Sequence, residues 1–280
     1  MKITMLGTAA LGYPLAFCNC DNCVRAREVK GKSIRKCASV LVNDDLIIDL
    51  GPDTQSSFFA CDKDMGKVKY LLQTHIHADH YFEQSLITRI PYMDMKNQHL
   101  LSIYAQSNCM KIMSDRIRNY EDADLITDEG KNKLSVSTYC VEHGDLFEFG
   151  DYKVKAIDTD HDVKHGSLLY LVMNNGKNFL YATDTKPFTE DALKELDGYR
   201  LDLLVMDHTF GDVDYSFSHL NEKLFIEQIN ILKDKGIIDD NTIIYGTHIS
   251  HCGNGIHEEC EERAVKNGYH IAYDGMEINL

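Results

Sequence analysis

The chain has 280 residues, 44% hydrophobic and 26% charged, with no tryptophan and a formal net charge of −15. That length can bury a substantial core, read as one domain over residues 1–280, and the acidic balance argues against long nucleic acid as a partner, since polyanion binding rests on a basic surface. No apolar run reaches the roughly 18 residues of a membrane span, so no membrane partner is expected.

At the N-terminus, "MKITMLGTAALGYPLAFCNC" is broken by Gly7, Thr8, Gly12 and Pro14. It reads as a strand over Lys2 to Leu6 and a glycine-containing loop rather than a secretion signal. "FCNCDNC" then places Cys18, Cys20 and Cys23 within six residues. The other cysteines of the nine are scattered singly. This pattern suits a reducing cytoplasm, where a tight cluster is a metal clip rather than a disulfide framework. Three thiolates do not complete a tetrahedron, so a distant fourth ligand is needed.

Further β-branched, apolar runs follow in order: "ASVLVN", "DLIIDL", "VKYLLQT", "LLSIYA", "KLSVSTY", "YKVKAID", "SLLYLVM", "NFLYAT", "LDLLVMD" and "TIIYG". Between some of them lie helical patterns, predicted over 107–120, over 219–236 with its closing Gly236, and over 256–268 ending at Gly268. About eleven strands and a few helices in mixed order predict an α/β (α+β) chain, two sheets packed face to face with helices outside.

The chemistry concentrates after "VKYLLQ", in "THIHADHYFEQ". His75 and His77 are two apart, so at a strand end they face the same way and can grip one metal ion. Asp79 and His80 follow at a turn and can face a second ion. Near the end of the chain "THISH" carries His248 and His251; on a strand an odd spacing turns two side chains to opposite sides, so these two serve different places.

The H-x-H-x-D-H pattern resembles the signature of the metallo-β-lactamase-fold hydrolases, which implies a four-layer αββα sandwich with its site at one edge of the two sheets. The resemblance also implies three later ligands. The candidates are His161 in "TDHDVKHGSLLYL", with His165 and more distantly His143 as competitors, then Asp184 in "YATDT" as a bridging carboxylate, then His248. One site would be His75, His77, His161 and Asp184, and the other Asp79, His80, Asp184 and His248. Two divalent ions, Mn²⁺ or Zn²⁺, suit such ligands equally.

A narrower likeness runs over nearly the full length. "FCNCDNCVRA", "LIIDLG", "THIHADH", "YATDT", "LLVMDHT", "THISH" and "AYDGMEI" are similar to the PhnP-type phosphodiesterases, a branch near the tRNA 3′-end processing enzymes. Only about 81–140 matches poorly. The likeness implies a structural zinc on Cys18, Cys20, Cys23 and His251, with Cys252 and Cys260 as alternative fourth ligands. It implies a general acid at His219, with His208 as substitute, and a small cyclic phosphodiester substrate such as a ribosyl 1,2-cyclic phosphate or a 2′,3′-cyclic nucleotide. Asp79 belongs to the catalytic set, while Asp207 and Asp49, at strand ends, read as supports for metal-bound histidines. A homodimer is expected by family habit alone. The rival readings are a two-metal lactonase or thioesterase, a tRNA-processing endonuclease, and a redox protein on the same scaffold; Asp79, His80 and His248, which complete a second hydrolytic site, speak against the last.

Overall fold

The computed structural model describes residues 1–96 and 98–280, and all eleven runs named above become strands in it. The first sheet holds β1 (Lys2–Gly7), β2 (Ser39–Val42), β3 (Leu46–Ile48), β4 (Tyr70–Leu72), β5 (Leu101–Ala105), β6 (Val136–Cys140) and β14 (Glu277–Asn279), in the order β14-β1-β2-β3-β4-β5-β6. The second holds β7 (Leu146–Phe149), β8 (Tyr152–Asp158), β9 (Leu168–Asn174), β10 (Lys177–Ala182), β11 (Leu203–Asp207), β12 (Ile243–Thr247) and β13 (His270–Ile271), in the order β13-β12-β11-β10-β9-β8-β7.

Why two sheets stack is visible along β9. Leu168, Tyr170 and Val172 point into a core shared with Ile3, Val40, Ile48 and Leu72 of the first sheet. Leu169 and Leu171 point the other way, onto a second core with Phe225, Ile229 and Leu232 of α7 (Glu222–Asp234) and Ala264 of α8 (His257–Lys266). Successive side chains alternate faces, so a strand apolar at every position must be covered on both. The first sheet does likewise: Leu6, Leu41, Leu71 and Ile103 face away from the second sheet onto Met110, Met113 and Ile117 of α4 (Ser107–Arg118) and Phe58 of α2 (Thr54–Ala60). The order of layers is helix, sheet, sheet, helix. Burying one Leu or Ile stabilises by about 1.5–3 kcal/mol, so these three cores carry most of the favourable free energy.

The three predicted helices are present with shifted ends. Gln106 caps α4 by accepting from the backbone N–H groups of Asn108 and Cys109, at 2.7 and 3.4 Å. The last predicted helix is α8. α7 begins three residues later than expected, because Asn221, not a residue near His219, supplies the cap, its side chain accepting from the Leu224 N–H at 2.9 Å. His219 is therefore a loop residue rather than the start of a helix. Short elements escaped the sequence reading: β7, β13, β14, and the helices α1 (Asp21–Val29), α3 (Gln84–Ile87), α5 (Asp128–Leu134) and α6 (Glu190–Leu196), besides α2.

Strand direction gathers the chemistry at one edge. β10, β11 and β12 are parallel and level, with Ala182 beside Met206 and Met206 beside Gly246. Their C-terminal ends deliver Asp184, Asp207 and His248 to the same place. β3 and β4 are also parallel, Ile48 beside Leu72, and deliver Asp49 and the 74–80 loop. The sheets are joined next to that edge: Leu168 N–H donates to Thr74 C=O at 3.0 Å and the Tyr170 hydroxyl to Gln73 C=O at 2.9 Å. No helix among the described residues is long and apolar enough to cross a membrane.

Candidate metal centre

Three residues at this edge sit in left-handed backbone immediately past their strands: Asp49 (φ 68°), Asp184 (φ 52°) and His248 (φ 61°). Such φ values are uncommon for residues other than glycine, and such strain gathers at functional sites. His248 and His251 do part company. Both follow the end of β12, outside the strand, where alternation no longer applies; His248 reaches Asp184 at the sheet edge and His251 reaches Cys18 in the N-terminal loop.

Asp184 lies between two groups of imidazoles. Its Oδ1 is 3.3 Å from His161 Nε2 and 3.9 Å from His75 Nε2. Its Oδ2 is 2.9 Å from His80 Nε2 and 3.2 Å from His248 Nε2. His77 joins the first group through Nδ1, 3.1 Å from His161 Nε2. Asp79 joins the second through Oδ2, 3.4 Å from His248 Nε2 and 3.5 Å from His80 Nε2. Around a tetrahedral cation with bonds of about 2.0–2.1 Å, neighbouring donors stand roughly 3.4 Å apart. The donor set therefore fits two cations that share Asp184, and His75 Nε2, buried without any hydrogen-bond partner, is an orphan that a cation would satisfy.

Electrostatics agree with a cation-binding pocket. Burial, then the neighbouring His80, pushes the His75 imidazole well below its ordinary pKa, toward the neutral form that ligates. Burial works against the Asp184 carboxylate, but His248 and His80 outweigh it and hold its pKa well below the usual range. His80 shows the reverse balance: burial lowers it, and Asp184, Asp79 and Asp49 win, so its pKa rises well above that of a free imidazole. Three carboxylates around one ring demand positive charge, from a proton or from a metal ion.

Four of the five rings are steered by a second contact. Asp49 Oδ2 takes the Nδ1–H of His80 at 2.7 Å. Thr74 Oγ1 is 2.9 Å from His75 Nδ1, the Ser218 carbonyl 3.0 Å from His161 Nδ1, and Thr209 Oγ1 2.8 Å from His248 Nδ1. Thr74, Thr209 and Ser218 had no signal in the sequence. Asp207 does not orient a metal-site histidine as its position suggested: its Oδ2 is 2.7 Å from His219 Nδ1 and 4.0 Å from His248 Nδ1. His219 stacks against His248, ring centres 5.2 Å apart, with Nδ1 3.8 Å from Asp184 Oδ1. Burial lowers its pKa, but Asp207 prevails and lifts it to about 9.

The competing residues lie elsewhere. His165 bonds Asp162 through Nδ1 at 2.9 Å, and that carboxylate also reaches within 3.4 Å of His77 Nε2, a contact the sequence did not suggest. His143 accepts from the Asp158 N–H in a turn, and His208 points into the core onto the Tyr269 hydroxyl at 3.0 Å.

Beyond the sheet edge, Cys18, Cys20, Cys23 and His251 bring four ligand atoms within 4.8 Å of one another. His251 Nδ1 is 3.3 Å from Cys18 Sγ and 3.4 Å from Cys20 Sγ. Tetrahedral zinc, with Zn–S near 2.3 Å, sets sulfur and nitrogen roughly 3.5 Å apart, so this set fits as well. Cys260 instead faces Asn254 and Gly255, and Cys252 lies outside the cluster.

Residues 45–249 match the family model of the β-lactamase superfamily domain, and the chain belongs to that superfamily. It is thus a hydrolase of the metallo-β-lactamase fold, a fold that binds divalent metal. Among solved structures it is similar to a diphosphatase of the PhnP family (21% identity, TM-score 0.74, covering 99% of this chain and 96% of that one). It is also similar to Zn²⁺-bound PqqB from Methylobacterium extorquens (18%, 0.72, 100% of each chain) and to the short form of human tRNase Z (17%, 0.66, 100% and 99%). At these identities the likeness is one of fold. A search of curated proteins finds no significant match.

Proposed function

We propose that the protein is a dinuclear phosphodiesterase of the PhnP branch, acting on a small phosphodiester such as a ribosyl 1,2-cyclic phosphate or a 2′,3′-cyclic nucleotide. The observation that carries this reading is the division of Asp184, one oxygen toward His75 and His161 and the other toward His80 and His248. A carboxylate so shared would serve two cations at once, and two such ions would neutralise charge on both the attacking and the leaving oxygen of an in-line displacement. His75, His77 and His161 would hold one ion, Asp79, His80 and His248 the other, and the Cys18, Cys20, Cys23 and His251 clip a structural zinc. Bound there, Mn²⁺ or Zn²⁺ would activate water at neutral pH and neutralise charge gathering on the phosphoryl group.

The protein's own part is positioning and proton supply. The contact of His219 Nδ1 with Asp207 and the nearness of this ring to Asp184 support a role for His219 as the general acid that protonates the leaving alkoxide through its other ring nitrogen. The 3.0 Å contact between His161 and the Ser218 carbonyl ties the loop of this acid to the metal ligands. A charge of −15 repels a long polyanion, which favours a small substrate over a tRNA precursor. The cysteine triplet, taken as a metal clip, favours a cytoplasmic setting, and a homodimer is the family expectation.

Assay of the Mn²⁺-loaded protein on bis-p-nitrophenyl phosphate, 2′,3′-cyclic nucleotides, a dinucleoside diphosphate and acyl-homoserine lactones tests the reading. Turnover of the cyclic diesters is expected. Lactone turnover with no phosphoester turnover would overturn it in favour of the lactonase reading.

A further inference from the structure

The loop between β11 and α7 carries aromatic side chains that neither the core nor the metal centre uses. Phe217 is 73% exposed and Tyr215 44% exposed, a cost to a protein that has to explain it. Their ring centres are 5.5 Å apart, and both lean on Phe210, at 5.4 Å for Tyr215 and 5.9 Å for Phe217. Phe210 in turn meets His219 edge-on at 5.6 Å. A row of rings therefore runs from His219, beside Asp184, out to solvent. The loop is held by polar contacts: Asn221 Nδ2 donates to the carbonyls of Val213 at 3.0 Å and Tyr215 at 3.3 Å, and Ser216 Oγ donates to the His219 carbonyl. The two exposed side chains thus sit on a pinned backbone.

We propose that Tyr215 and Phe217 form a stacking platform for the nucleobase of a mononucleotide-sized substrate, on the leaving-group side of the metal centre. This deepens the phosphodiesterase reading and rests on it. In the hydrolysis, the bond from phosphorus to the ribose oxygen breaks and the oxygen of water takes its place on phosphorus. The ribose oxygen receives the His219 proton, and the proton displaced from water restores it. The released ribose oxygen thus faces His219 while the ribose stays esterified to phosphorus through its other oxygen, and a base attached to that ribose extends along the row of rings beyond it. Base–aromatic stacking is sequence-tolerant, so the platform selects for the presence of a base rather than for one base.

The chain has no tryptophan, so Phe217→Trp installs a single fluorescent reporter on the platform. Saturable quenching by adenosine 3′-phosphate, with none from ribose 5-phosphate or inorganic phosphate at the same concentrations, is the expected result. In parallel, the Tyr215→Ala/Phe217→Ala double variant should raise the ratio of KM for adenosine 2′,3′-cyclic phosphate to KM for base-free ethylene phosphate about tenfold to a hundredfold, the worth of one stacked base. An unmoved KM ratio, or quenching that ribose 5-phosphate reproduces, overturns the platform. Quenching needs no turnover, so failure of the wild-type protein to open either cyclic diester would sink the phosphodiesterase reading separately.

Discussion

Asp49 Oδ2 sits 2.7 Å from His80 Nδ1, and both side chains are fully buried. The same carboxylate accepts from the Thr74 N–H at 2.8 Å and Gln73 Nε2 at 3.0 Å, so it is fixed on three sides. This contact holds the Nδ1–H tautomer of His80 and leaves Nε2 bare for a cation. Asp49→Asn puts an amide in its place and should weaken metal binding about 10–100-fold, measured by chelator competition. Unaltered affinity in a folded variant would show that the contact is only structural.

His219 makes a prediction that depends on the substrate. A poor leaving group such as a ribose hydroxyl needs a proton, whereas p-nitrophenolate leaves without one. His219→Gln should therefore lower kcat about 10²–10⁴-fold on a cyclic nucleotide and far less on bis-p-nitrophenyl phosphate. Asp207→Asn should follow the same pattern more weakly, since Asp207 acts through His219. Equal losses on both substrates would remove the acid from the mechanism.

The clip predicts a separable metal. Cys20 is exposed and far in sequence from His251, so Cys20→Ser opens the clip without touching the buried histidines of the sheet edge. Elemental analysis should find up to three metal equivalents in the parent protein and one fewer in the variant, with a lower Tm because the 18–23 loop is no longer tied to residue 251. Loss of all metal would mean that the two centres are not independent.

How much of this was legible before the structure depends on the range of each signal. "THIHADH" and the cysteine triplet are compact, so local spacing alone marked them. The long apolar strands were visible for the same reason, and their burial on both faces followed from unbroken hydrophobic runs. Short pieces such as β13, two residues long, carry no periodicity to detect. The supports of the site were hidden because they are defined by space: Thr209 is 39 residues from the His248 it contacts, and the Ser218 carbonyl, which binds His161, belongs to the backbone, where side-chain identity says nothing. Asp207 was found and given the wrong partner, because a loop of unknown path separated it from His219.

A last prediction concerns stability away from the metal centre. His257 is buried and accepts a hydrogen bond at Nδ1 from the Arg35 guanidinium at 2.9 Å, which requires that nitrogen to be unprotonated. Burial first, then the charge of Arg35, lowers its pKa to about 4. The unfolded chain, with an ordinary histidine near pKa 6.5, binds more protons than the folded chain between these values, so stability falls as pH drops from about 6.5 to about 4. After allowance for partial solvent screening, this residue contributes roughly 2–3 kcal/mol to that loss. His257→Gln keeps an acceptor for Arg35 and cannot titrate. Urea unfolding at pH 7 and pH 4.5 should therefore show a smaller fall in stability for the variant than for the parent protein, and parallel pH profiles would exclude His257 as a source of acid sensitivity.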